Sequence, residues 1–268
     1  MLRPTESRAD YIRFYDEVGA SGIESSAYDE DPVANERLHC VNELIERYVP
    51  TAGMAIDLGC YDGKYCGTIV REAETVGLDI SRNALLRGKA DSSFQIEWLQ
   101  GDVESLPLRS ESFDFVLFSE TLEHVPSPEI ALAECARILR SQGVLIVTTP
   151  NAIVVRSSSP FSKLRNAILG PSGACHEVEV NPRFTKMGIE HAGYLHGSRS
   201  PSQITAMGKG LGLTPIHAGT CAISFPNALK MKGRRRFSLP YAIAGTAFKY
   251  IPVLRMMGNH SVVVFKKT

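Results

Sequence analysis

The sequence predicts an α/β fold, doubly wound about a mostly parallel sheet, and three observations carry that expectation. Short runs rich in Val, Ile, Leu and Phe alternate with amphipathic stretches between residues 33 and 148. An acid stands at or just after three successive apolar runs, at Asp57, Asp79 and Asp102. A glycine-bearing turn, Gly59 to Gly63, leads out of the first run. In an open parallel sheet the carboxyl ends of the strands share one edge, so residues that close consecutive strands meet in one crevice.

The elements are justified in chain order. Residues 33–48 place Val33, Leu38, Val41, Leu44, Ile45 and Tyr48 at helical spacing, behind Pro32, which suits a helix entrance. The preceding 15–31 is rich in Gly, Ser and Asp and reads as a mobile lead-in. Residues 54–58 form the first strand, 64–73 a helix and 76–80 the second strand. Ser81 can cap a helix that runs to about residue 90. Residues 94–99 and 113–118 are the third and fourth strands. Residues 128–140 form an amphipathic helix ended by Gly143, and 144–148 a fifth strand. The period is lost over 151–199, and a loop of that length in a compact domain usually carries function or hidden structure. Residues 201–211 read as a helix, and 213–223 and 261–266 as the last two strands, antiparallel neighbours. The expected organisation is a helical cap over 1–49 and one domain over 50–268, with insertions at about 151–199 and 226–260 lying over the crevice.

Composition narrows the classes. With 268 residues, 44% hydrophobic and 22% charged, the chain is neither disordered, coiled-coil nor collagen-like. No apolar run reaches the ~18 residues of a membrane span, and the charged N-terminus has no apolar core of a secretory signal. Cys40, Cys60, Cys66, Cys135, Cys175 and Cys221 show no C-x-x-C pair, which suits packing cysteines of a reduced, cytoplasmic protein. All 29 carboxylates lie in residues 1–190, a region of net −11, while residues 191–268 carry 11 Lys and Arg and are +11. The two halves neutralise each other in the fold, or the basic end meets an anionic partner. Residues 229–257 interleave basic with aromatic and aliphatic side chains, as an interfacial segment touching anionic membrane does, and as a lid packed on the sheet also does. No recognisable nucleic-acid module accompanies them.

The stretch Ala-Ile-Asp57-Leu-Gly59-Cys60-Tyr61-Asp62-Gly63 has the chemistry of a nucleotide cradle: glycines admit a ligand to the backbone and a helix start offers free N–H groups. Asp79 stands where a carboxylate grips a ribose diol, and Asp102 where one holds an adenine amino group. The turn lacks G-x-G-x-x-G spacing, and its acids would repel a pyrophosphate, which ranks a nicotinamide oxidoreductase lower.

These motifs, together with G-D-V-E-S-L-P-L (101–108), F-D-F-V-L-F-S-E-T-L-E-H-V (113–125) and the run to Asn151, resemble class I S-adenosylmethionine-dependent methyltransferases, the broad group that includes quinone-biosynthesis enzymes. The resemblance covers about residues 50–151 well and 196–268 loosely. It implies a Rossmann-like seven-stranded sheet with the last strand antiparallel. It also implies S-adenosylmethionine as cofactor, held by Asp57, Gly59, Cys60, Tyr61, Gly63, Asp79, Ile80, Asp102, Val103 and Ser119. Tyr61 departs from the pattern, standing where members commonly carry a glycine; a negative φ with the ring turned away would accommodate it. The acceptor is expected to be a small or lipid-linked molecule, more readily methylated on oxygen, with a non-catalytic cofactor-binding module or an RNA methyltransferase as rivals.

Glu120, Glu123 and His124 come directly after the fourth strand. If the segment turns helically, the three face one way. The E-x-x-E-H pattern resembles the divalent-metal ligands of catechol-type quinone O-methyltransferases and small-RNA 3′-end methyltransferases, with His191 or His196 as a further ligand. In the other reading the segment shapes the pocket without metal. His124 then acts as an orienting residue or general base, with Glu123 beside it and His196 as a further candidate.

Overall fold

A computed structural model describes residues 7–22, 32–155, 177–179, 194–222 and 258–268. The elements run α1 Arg8–Ser21, α2 Pro32–Tyr48, β1 Met54–Leu58, α3 Cys66–Ile69, β2 Glu74–Asp79, α4 Arg82–Asp91, β3 Glu97–Gln100, β4 Phe113–Ser119, α5 Pro128–Ile138, β5 Leu139–Pro150, α6 Ala152–Val155, β6 Glu177–Glu179, β7 Tyr194–His196, α7 Pro201–Gly208, β8 Leu213–Cys221 and β9 His260–Lys267. Seven strands form one sheet in the order β3-β2-β1-β4-β5-β9-β8. The first five pair in parallel, and β9 lies antiparallel to both β5 and β8. Pro215, which lacks a ladder donor, sits on β8 at the sheet edge, beside a register shift. The chain therefore has the doubly wound, Rossmann-like architecture expected of it.

Alternation along the strands divides two apolar layers. Ala55, Phe115, Leu117, Ile146 and Val264 point to one face, where they meet Val41 and Ile45 of α2. Ile56, Leu58, Val116, Phe118, Leu145, Val147, Val263 and Phe265 point to the other, where they meet Leu132 and Ile138 of α5 and Ile204 of α7. The period of two explains why near-continuous apolar runs are needed: a parallel sheet covered on both sides has no solvent face.

Three local expectations differ from the structure. Much of the supposed lead-in is helical, because α1 extends through Ser21. Ser7 and Asp10 form a reciprocal capping box, Phe14 and Val18 bury one stripe, and Gly22 closes the helix at φ 70°. The helix expected over 64–73 is only the single turn Cys66–Ile69. The helix expected to reach residue 140 ends at Ile138, and β5 begins at Leu139, so Gly143 lies inside a strand. A two-stranded antiparallel ribbon, β6 with β7, lies within the unpatterned stretch. His191 and the basic cluster of 229–257 lie outside the described residues, as does the side chain of His196. No helix among the described residues is long and apolar enough to cross a membrane.

Candidate active site

The cleft opens at the carboxyl ends of the strands, where the order reverses between β1 and β4, the switch point at which open α/β sheets bind ligands. Gly59, Tyr61, Asp79, Ile80, Asp102 and Val103 line it from the β1–β3 side. Gly59 comes just after β1 at φ 75° and donates its N–H to the Leu78 carbonyl at 2.7 Å. A Cβ there would stand 2.1 Å from Thr121 Oγ1, so the turn passes the β4 loop at a distance only glycine allows.

Tyr61 does not meet the condition of a negative φ: its φ is 53°, the left-handed conformation that glycine would adopt freely. The surrounding contacts hold it there. Its N–H donates to Asp79 Oδ2 at 2.8 Å, and its hydroxyl donates to the Val18 carbonyl at 3.3 Å and accepts from Arg87 Nη2 at 3.0 Å. The strain of an L-residue there is about 1–2 kcal/mol, and these bonds offset it. The side chain also ties the turn to α1.

The three strand-end acids have different environments. Asp79 accepts N–H groups from Tyr61 and, at 2.8 Å, from Ser81; burial pushes its carboxyl up to about 6. Asp102 accepts from the Glu104 N–H at 2.9 Å on one oxygen and from Arg8 Nε at 2.7 Å on the other. Asp57 does not line the cleft. It lies beneath the turn, 1% exposed, with the Cys66 thiol donating to it at 3.5 Å, and burial lifts it to about 7. Cys60 is buried under the same turn, which the Gly63 N–H closes on the Cys60 carbonyl at 2.8 Å. Ser119 is buried and shares a hydrogen bond with Thr148 at 2.8 Å.

The opposite rim is built by Glu120, Thr121, His124 and Val125. The segment after β4 makes a turn, the His124 N–H donating to the Thr121 carbonyl at 3.0 Å, and not the helix that would align Glu120, Glu123 and His124. Glu120 takes φ 53° and turns its carboxylate onto Arg37 Nη1 (3.0 Å), His260 Nδ1 (2.8 Å) and the Thr148 hydroxyl (2.8 Å). Burial alone would raise this carboxyl, but the charges of His260 and Arg37 hold it well below the usual range. Glu123 is 2% exposed, accepts from the Thr149 hydroxyl at 2.9 Å, and is pushed well up by burial and by the negative charge of Glu120. His124 Nε2 lies 3.9 Å from Glu123 Oε1. Among the described residues, no three His, Cys, Asp or Glu side chains come together so as to hold a metal ion, which corrects the expected convergence of Glu120, Glu123 and His124.

Sequence reasoning missed Arg37, His260 and the roof of the cleft. Arg37 was visible as a charge on the apolar stripe of α2, one and two turns before the buried Val41 and Ile45. His260 gave no local signal. The roof is α1, which sets Tyr11, Tyr15 and Val18 against the cleft. The Tyr11 hydroxyl donates to the His124 carbonyl at 3.1 Å, and the Tyr15 ring lies 6.0 Å from the His124 ring.

The donor set suits a sulfonium nucleoside. Two carboxylates at adjacent strand ends match a diol and an amino group, Ile80, Val103 and Val125 offer apolar walls, and Glu120, paired behind the wall with Arg37, adds a carboxylate on the opposite rim. Comparisons with known proteins point the same way. Residues 56–147 match the model of a methyltransferase domain. A ubiquinone biosynthesis O-methyltransferase of Nitrosomonas europaea is 29% identical over 230 residues, 81% of this chain and 86% of that protein. One from Klebsiella pneumoniae is 31% identical over 125 residues, 42% of this chain, and the chain matches about half of it (52%). Among solved structures, a Burkholderia thailandensis 1,6-didemethyltoxoflavin-N1-methyltransferase with bound S-adenosylhomocysteine superposes with a TM-score of 0.59 at 12% identity, covering 100% of this chain and 93% of that one. An S-adenosylmethionine-dependent methyltransferase from Mesorhizobium loti superposes at 0.54 and 16% identity, over 84% and 96%.

Proposed function

Because the chain is a class I S-adenosylmethionine-dependent methyltransferase, we propose that it methylates an oxygen of a small or lipid-linked acceptor, with His124 as the base. The observation that carries this reading is the placement of His124 on the rim of the cleft, between the Tyr11 and Tyr15 wall and the buried carboxyl of Glu123. The cofactor, when bound, supplies a sulfonium methyl that leaves by in-line displacement, so little chemistry is left to the protein beyond positioning and dehydration. A hydroxyl acceptor adds one requirement, removal of its proton, and an imidazole suits that near neutral pH. Similarity to the ubiquinone O-methyltransferases supports an oxygen acceptor of aromatic character.

The geometry suggests the other roles. Asp79, with both carboxylate oxygens already oriented by backbone N–H groups, takes the ribose hydroxyls. Asp102 takes the adenine amino group against Val103. Glu120, held by Arg37, borders the amino-acid end of the cofactor. Glu123 orients His124. His196 is kept as a candidate on the acceptor side. The reaction runs without a metal, Glu120 being satisfied by Arg37, His260 and Thr148.

The test is an assay with S-adenosylmethionine and phenolic acceptors, free and lipid-tailed, in excess chelator, read by mass spectrometry for the gain of one CH2. O-methyl product, with His124→Ala lowering kcat while leaving the S-adenosylhomocysteine Kd unchanged, is the expected result. Methylation on nitrogen, a His124→Ala enzyme of full kcat, or activity lost with chelator would each sink its part of the reading.

A further inference from the structure

The roof of the cleft is fastened in two unlike ways. The C-terminal half of α1 is bound to α4 through its backbone and cap: Asp16 Oδ1 accepts from the Asn83 N–H at 2.9 Å and the Ser81 hydroxyl at 3.2 Å, and Arg87 donates to the Gly19 carbonyl. A Cβ on Gly19 would stand 2.0 Å from Ser81 Oγ, so the two helices touch there. The N-terminal half crosses the mouth of the cleft instead. There the fastenings are the Tyr11 bond to the His124 carbonyl and the side chain of Arg8.

Arg8 reaches two carboxylates at once. Its Nε donates to Asp102 Oδ2 at 2.7 Å, with Nη2 on the same oxygen, and its Nη1 lies 2.7 Å from Glu104 Oε2. The guanidinium also lies over the Tyr11 ring, 4.7 Å from its centre. Glu104 in turn accepts from the Ser127 N–H. One oxygen of Asp102 is thus fixed by Arg8 and the other by the Glu104 N–H. The carboxylate plane is held, and Oδ1 keeps a lone pair for a further donor.

We propose that Arg8 is a positioning residue of the cofactor site: it latches the N-terminal end of α1 across the cleft and presents Asp102 to the adenine amino group. The proposal rests on the reading of the cleft as the cofactor site. The same ion pair then sets two things, how long a bound nucleoside stays and how well its 6-amino group is read. A guanidinium does both because its fork spans two carboxylates, which an ammonium at one point does not.

The experiment measures S-adenosylhomocysteine and S-inosylhomocysteine, which carries oxygen in place of the 6-amino group, on the wild type, Arg8→Lys and Arg8→Met. Dissociation rates are taken at low and high sodium chloride by stopped flow, and Kd by calorimetry. Arg8 is one-third exposed, so the effect is modest. In Arg8→Met, S-adenosylhomocysteine leaves about fivefold faster. Its preference over the inosyl analogue falls toward unity, and its dissociation no longer quickens with salt. Arg8→Lys lies between. A wild-type rate, preference and salt response in Arg8→Met overturn the latch. So does a wild-type dissociation rate that salt leaves unchanged, a measurement that needs no variant to fold. Failure of the wild type to bind S-adenosylhomocysteine would overturn the reading of the cleft itself, and the latch with it.

Discussion

The two rims of the cleft hold their carboxylates by opposite means. On the β1–β3 rim, Asp79 is raised to about 6 by burial, with only backbone N–H groups from its own neighbourhood to offset it. On the β4–β5 rim, Glu120 is equally enclosed yet held well below the usual range, by His260 and Arg37 brought from distant parts of the chain. Three residues on, Glu123 is pushed up by its burial and by Glu120. Dipoles of a local turn orient a carboxylate without neutralising it, while full charges neutralise it and lock distant elements together. The first arrangement keeps a carboxylate ready for a ligand; the second makes it part of the frame.

The comparison is sharpest at Glu120. Glu120→Gln leaves the Arg37 guanidinium without its carboxylate in a largely buried place, and the protein should lose about 3 kcal/mol in urea unfolding. Adding Arg37→Met should recover part of that loss, and strict additivity of the two variants would break the account. On the other rim, Asp79→Ala should alter stability less, relief of the buried charge opposing the loss of its Tyr61 and Ser81 bonds, but weaken S-adenosylhomocysteine about 100-fold by calorimetry, two ligand hydrogen bonds to a charged acceptor being removed. Equal losses of stability in the two variants would erase the distinction.

Acid should separate the rims next. A carboxyl raised in the fold, like Asp79, costs stability that is absent below its unfolded pKa of 3.8 and grows as pH rises through about 6. A depressed one, like Glu120, contributes stability present above its ordinary 4.5 and lost as pH falls below it. Relative to wild type, Asp79→Asn should therefore gain stability and Glu120→Gln lose it as pH rises from acid toward neutrality, and both differences should shrink in acid. Cofactor affinity in the wild type should fall about tenfold between pH 7 and 5 as Asp79 takes a proton, a fall that Asp79→Asn abolishes. The smallest effect is expected at Glu123. Burial and the charge of Glu120 push its carboxyl up toward the neutral form that a glutamine mimics, so Glu123→Gln should shift stability by less than about 1 kcal/mol at pH 7.

The β1–β3 rim was legible because its information is local. The period of two fixes each strand, the glycine turn fixes the exit, and the residue closing a parallel strand must reach the shared edge. Even there, pattern placed Asp57 in the cleft, while packing put it under the turn beside Cys66. Tyr61 shows the same limit. Nothing in D-L-G-C-Y-D-G says that a tyrosine will accept φ 53°; the bonds to Asp79, Val18 and Arg87 decide it. The capping box at Ser7 and Asp10 could have revealed α1, but not that it would lie across the mouth.

The sequence by itself determined the chain order of strands and helices and two acids of the β1–β3 rim, Asp79 and Asp102, because these come from periodicity and from the direction of the chain. Only the tertiary structure decided the charge on Glu120 and Glu123, the pairing with Arg37 and His260, and the roof laid by α1. A carboxylate's state depends on which charges and how much water surround it, and those neighbours come from residues 83 and 140 positions away from Glu120 along the chain.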